Sequence, residues 1–193
     1  MSSAQPLDRR TKKTKQHLRN ALASLIQETD FQSITVQDIT DRADINRATF
    51  YSHYRDKYDF VDKIAGEILR EFEDIINTKG STSSHSPSTY ELNLSIFLHV
   101  KKHNIFYKTI FSRKGSSKFL IQLLDILNTS IDRRRTLKHT YENERVVPTD
   151  IVNSFIASAY IGVIKNWIDH EMPHPPEYIA EKLTYLLERK MQE

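Results

Sequence analysis

The chain has 193 residues, 38% of them hydrophobic and 27% charged, which suits one medium domain or two small ones and argues against global disorder. It contains no cysteine, so disulfides, thiolate metal sites and cysteine nucleophiles are excluded. The formal net charge is only +3, and the placement of the charges says more than their sum.

Only four glycines and six prolines interrupt the chain, and no stretch alternates with period two, so an all-α protein is expected. No apolar segment of signal-peptide type follows the basic N-terminal residues, and no run of about eighteen apolar residues is uninterrupted. The expectation is a cytoplasmic protein with no membrane partner. Residues 9–15, RRTKKTK, carry five positive charges and no negative one, which suits either a solvated arm or a phosphate-backbone contact.

A first helix is predicted over 14–28, where Leu18, Ala21, Leu22, Leu25 and Ile26 form one apolar stripe. Thr35 with Asp38 three positions on is a capping-box variant, and it starts a short helix carrying Val36, Ile39 and Ala43. A second short helix over 47–54 follows a three-residue turn. Asp56 and Asp59 then cap a helix from Lys57 to Asn77 whose apolar set includes Val61, Ile64, Ile68, Phe72 and Ile76. Residues 78–89, TKGSTSSHSPST, read as a linker. It divides an N-terminal domain (1–77) from a C-terminal helical domain (90–193), in which helices are predicted at 88–103, 104–112, 116–142, 149–170 and 175–192. The helix from Thr149 is apolar nearly all round and is therefore expected to be covered on more than one side.

Two short helices joined by a tight turn, about 36–54, have the layout of a helix-turn-helix. Phe50 and Tyr54, with Ile45, can pack on Ile39 and Ala43, which leaves Arg47, Ala48, Thr49, Tyr51, Ser52 and His53 outside. Arginine can pair with guanine, and alanine or the threonine methyl can touch the thymine methyl. Tyr51, His53 and Lys57 carry donors suited to phosphates, and the helix starting at Lys57 has a phosphate-binding N-terminus.

The stretch TVQDITDRADINRATFYSHYRDKYDF resembles the DNA-binding signature of the TetR/AcrR family of bacterial transcriptional regulators. The likeness covers residues 14 to about 60. It implies a three-helix DNA-binding head on a larger helical body for ligand binding and dimerisation. It also implies backbone or groove-edge contacts from Thr35 and Gln37, base contacts from Arg47, Ala48, Thr49 and Ser52, and phosphate contacts from Tyr51, His53 and Lys57. One departure is Asp44, where the family commonly has glycine; aspartate tolerates the left-handed conformation that such a turn needs.

Further on, FIASAYIGVIKNWIDHEMPHPPEYIAEKL resembles the end of the body in a subgroup common in Gram-positive bacteria. That likeness implies a four-helix dimer interface through Phe155, Ala159, Gly162, Val163, Leu183 and Leu187, with Ser158 and Gly162 allowing close approach. The implied partners are a double-stranded DNA operator, a second copy of the chain, and a small-molecule effector. A regulator whose body senses a partner protein instead predicts a body without a cavity of roughly 300 Å³ or more.

Phe97, Phe106, Tyr107, Phe111, Phe119 and Tyr160 can line a ligand pocket or serve as plain core. His99 and His103 have i, i+4 zinc spacing, but the sequence places no third ligand beside them, and two lysines intervene. A solvent-facing pair is the expectation, and His170 with His174 in HEMPH reads the same way. Arg133, Arg134 and Arg135 with Lys138, His139 and Arg145 read as a solvated face or an anion patch. No phosphate-cradling glycine loop or nucleophile motif is present, so neither an enzymatic activity nor a cofactor is expected.

Overall fold

The structure, a computed structural model, describes residues 6–77, 88–111, 117–138 and 147–189. Among these residues the fold is all-α: α1 (Pro6–Glu28), α2 (Val36–Ala43), α3 (Arg47–Tyr51), α4 (Lys57–Asn77), α5 (Thr89–Lys102), α6 (Asn104–Phe111), α7 (Ser117–Lys138), α8 (Thr149–Asp169) and α9 (Pro176–Arg189). The chain forms two compact units, Met1–Glu67 and Ile68–Glu193. The division falls inside α4 rather than after Asn77. Nearly all of the predicted linker and the positions His139 and Arg145 lie outside the described residues.

In the first unit α1 begins well before the predicted residue 14 and absorbs the RRTKKTK stretch, with Pro6 at its first position. Lysine and arginine are good helix formers, so a basic run need not be a loose arm. Leu18, Ala21, Leu22 and Leu25 of α1 are buried together with Ile34, Ile39, Ala43, Phe50, Tyr54, Phe60 and Ile64. Two ion pairs tie the helices together. Arg42 donates to both carboxylate oxygens of Glu28 at 2.7 Å and to Ser24 Oγ at 2.6 Å, joining α2 to α1. Arg19 of α1 pairs with Glu67 of α4.

In the second unit α5 packs along α9, and α8 lies against α6 and α7. Burial selects one face of α8: Asn153, Ala157, Tyr160, Ile164, Trp167 and Ile168 are inside, whereas Ile151 and Phe155 remain exposed. By length and mean hydropathy (1.2) α8 could span a bilayer, but a third of that window is buried inside the protein. Within this chain α8 is covered on that one face. Two consecutive left-handed residues, Glu171 and Met172, end α8. The reversal is held by Met172 N–H donating to Trp167 O at 2.8 Å and the Trp167 indole N–H donating to His174 O at 2.9 Å.

Candidate nucleic-acid interface

Three side-chain caps build the geometry around α3. Thr35 Oγ1 accepts from Asp38 N–H at 3.1 Å, and the Asp38 carboxylate accepts from Thr35 N–H at 2.8 Å, a complete capping box. The Thr35 backbone N–H bond holds the Asp38 carboxyl below the usual aspartate range. At the other end of α2, Asp44 is left-handed (φ 52°, ψ 50°), as anticipated, and Ile45 N–H reaches back to Thr40 O at 3.0 Å to close the turn. Asn46 then caps α3, its amide oxygen accepting from Ala48 N–H at 2.7 Å. Asp56 Oδ1 accepts from the N–H groups of Tyr58 and Asp59, both at 2.8 Å. Asp59 returns a bond to Arg55 N–H at 3.0 Å, which holds its own carboxyl low.

Beneath this frame lies an aromatic cluster. Phe50 sits 5.3 Å from Tyr54 and 5.5 Å from Phe60, and Tyr54 lies 4.6 Å from Phe60, between ring centroids. Burial raises the Tyr54 phenol above its ordinary value. The aromatic density of residues 50–60 is thus a core that anchors α3 from inside.

Outside, Arg47, Ala48, Tyr51 and Ser52 are exposed, and Thr49 and His53 are half-buried. The Arg47 guanidinium lies 5.4 Å above the Tyr51 ring and donates to its hydroxyl at 3.2 Å. Those two side chains form one pre-arranged projection. Ser52 donates to Thr49 O at 2.7 Å, and α3 stops at Tyr51, three residues before its predicted end. Thr35 and Gln37 are exposed on α2, with Gln37 held to Asp41 at 2.6 Å.

Lys57 does something other than the implied phosphate contact. Its ammonium donates to the carbonyls of Phe31 (3.1 Å), Gln32 (2.8 Å) and Ile34 (2.6 Å), which uses all three protons. It closes the α1–α2 loop. The cap residue Asn46 was missed in the sequence, although asparagine just before a helix is itself a start signal.

In the second unit, Phe155 and Gly162 are exposed and Ala159, Val163 and Leu187 are half-buried. Leu183 is corrected: at 5% exposure it belongs to the core of its own unit. The outward residues of α9 are Tyr178, Tyr185 and Leu186, a different phase of the same helix. Phe97, Tyr107, Phe111, Phe119 and Tyr160 are buried and Phe106 half-buried. Phe97 meets Trp167 edge-on, and Phe119 meets both Phe106 and Tyr107. His99 is also corrected, being buried at 4% exposure rather than facing solvent. Arg133 donates to Asn77 at 3.0 Å, while the side chains of Arg134, Arg135 and Lys138 lie outside those described.

The family described as "Bacterial regulatory proteins, tetR family" matches residues 18–64, and that described as "Transcriptional regulator C-terminal region" matches residues 88–189. The HTH-type transcriptional regulator YxbF of Bacillus subtilis (strain 168) is 24% identical over 185 residues, covering 95% of this chain and 47% of the relative. The chain therefore spans about half the length of that curated relative. A TetR transcriptional regulator from Streptococcus agalactiae 2603V has a similar solved structure, with 26% identity, TM-score 0.62 and coverage of 93% of this chain and 96% of that one. The dihydroxyacetone kinase operon activator DhaS shares the fold at 19% identity, with TM-score 0.68 and the same coverage. The capped helix-turn-helix with its exposed polar second helix lies within the segment that the family of bacterial regulatory proteins matches. The chain belongs to the TetR family of bacterial regulators.

Proposed function

We propose that this chain acts in the cytoplasm as a homodimer on a pseudo-palindromic operator, and that it is a repressor released by a small molecule bound in its C-terminal body. The observation that carries the DNA reading is the outward face of α3. Arg47, Ala48, Tyr51 and Ser52 stand free of the core on a helix fixed at both ends, as a reader of major-groove base edges requires. Thr35 and Gln37, at the start of α2, contact the backbone beside it, and His53 adds a phosphate contact. Lys57 acts indirectly by positioning the loop before α2.

Dimerisation is supported by the uncovered side of α8 and α9. Ile151, Phe155, Tyr185 and Leu186 are each more than half exposed, and Gly162 has no atom within 4 Å of where a Cβ would sit. Dimers of this class set two recognition helices about 34–36 Å apart, or a multiple of that, to meet successive major grooves. A specific observation favours a second reading of the control signal. Of the rings named for a pocket, Phe106, Tyr107, Phe111 and Phe119 pack on one another as core, which suits a body that senses a partner protein.

Capture of sheared genomic DNA by the purified chain, followed by sequencing, tests the DNA reading: a few palindromic sites should be enriched, and uniform retention of fragments would refute it. On an enriched site, Tyr51→Ala should weaken binding about equally across sequences, while Arg47→Ala should also relax the preference at one base position, worth about 1–3 kcal/mol. Gly162→Glu should give monomers by light scattering; an intact dimer would move the interface off α8.

A further inference from the structure

Three side chains of the second unit come together although the sequence separates them: Glu71 on α4, His99 on α5 and His103 just after it. One ligand atom from each lies within 4.8 Å of the other two. His103 Nε2 is already 2.9 Å from Glu71 Oε2. His99 is buried, yet its Nε2 has no hydrogen-bond partner among the described residues, and neither has the hydroxyl of fully buried Tyr107. The Tyr107 ring stands edge-on to His99, 6.0 Å between centroids. Leaving two buried polar atoms unpaired in one place is costly, and natural sites that do so commonly hold a water, an ion or a ligand.

We propose that Glu71, His99 and His103 form a binding site for a divalent first-row transition-metal ion of the zinc type. Two imidazoles and one carboxylate are a donor set such ions take, with a remaining position for water or a fourth ligand. Ligand atoms around a tetrahedral ion of this size lie about 3.4 Å apart, so binding would draw the three groups somewhat closer than the 4.8 Å within which they now lie. A water on the ion would give the Tyr107 hydroxyl the partner it lacks.

Lys102 is the competitor, donating to the same Glu71 oxygen at 2.7 Å. Its side chain is 64% exposed, and a surface ion pair of that kind yields readily to a bound cation.

The test is titration of the metal-free, full-length protein with zinc against a chromophoric chelator of micromolar affinity, repeated with cobalt to read the visible spectrum of the bound ion. One ion per chain is expected, with a tetrahedral-type cobalt spectrum. Glu71→Gln and His103→Gln should each weaken binding by at least about tenfold while helix content without metal is unchanged. Lys102→Gln should tighten it about three- to tenfold by removing a nearby positive charge. Failure to compete with the chelator overturns the site. So does unchanged affinity in both ligand variants, or an affinity in Lys102→Gln no higher than in the parent chain.

Discussion

The two units of this protein are specified in different ways. In the first, every helix start around α3 is fixed by a side chain within three residues of the group it satisfies: Thr35 with Asp38, Asn46 with Ala48, Asp56 with Asp59. In the second, α5 has such a box from Ser88 and Glu91, but α8 starts at Pro148 with no side-chain cap. There the telling polar contacts run between distant residues. Tyr160 donates to Asn93 Oδ1 at 2.5 Å, Asn93 Nδ2 donates to Thr184 at 2.8 Å, and Asn153 donates to Asp132 at 3.0 Å. A unit that must present one short helix in a fixed attitude benefits from strong local signals. A unit whose helices are long and apolar needs buried polar pairs to choose among packings that hydrophobicity alone would leave nearly equal in energy.

The largest expected effect breaks the aromatic anchor of the first unit. Phe50 is fully buried and touches Tyr51, Tyr54 and Phe60 at 5.3–5.6 Å. Phe50→Ala should cost about 3–5 kcal/mol. Amide exchange should speed up through α1–α3 while α8 and α9 keep their protection. Equal acceleration in both units would show that they unfold as one, and the contrast drawn above would fail.

A somewhat smaller effect is expected from the reverse experiment. Asn93 is fully buried and bonded to residues on two other helices. Asn93→Ala removes both bonds and should cost about 2–3 kcal/mol, now read as faster exchange in α5, α8 and α9 with α1–α3 unaffected. A loss below about 0.5 kcal/mol would mean that apolar packing alone sets how these helices meet.

The same contrast explains what could be read in the sequence. The starts of α2 and α4, the left-handed Asp44 and the burial of Phe50 and Tyr54 all rest on spacings of four residues or fewer and were legible, whereas the Asn46 cap that starts α3 was not read. The outward set Arg47, Ala48, Tyr51 and Ser52 followed from those spacings, but Thr49 and His53, read as outward too, are half-buried. Lys57 was not legible as a loop clamp because its partners are carbonyls more than twenty residues upstream. His99 looked exposed because Lys101, Lys102 and His103 follow it closely; its burial comes from Phe72 on α4, 5.6 Å away between centroids, and from Tyr107 on α6. Leu183 and Leu186 are indistinguishable by composition, and only the docking of α5 against one side of α9, marked by Asn93 on Thr184, decides which of them faces in.

The smallest expected effect lies in the turn itself and sharpens the local half of the comparison. Asp44 holds φ 52°, a conformation that an L-residue adopts at a cost of roughly 1–2 kcal/mol, less for aspartate because of its short polar side chain. It also puts a negative charge at the C-terminal end of α2, where the helix dipole disfavours one. Glycine removes both penalties but makes the unfolded chain freer. The balance should leave Asp44→Gly more stable by about 0.5 kcal/mol, seen as slower exchange at Ile45 and in α2, with no change in the second unit. Faster exchange there would mean that the aspartate contributes something to the turn beyond tolerating it. The Asp44 carboxylate would then join the Thr35, Asn46 and Asp56 caps as a device that fixes α3.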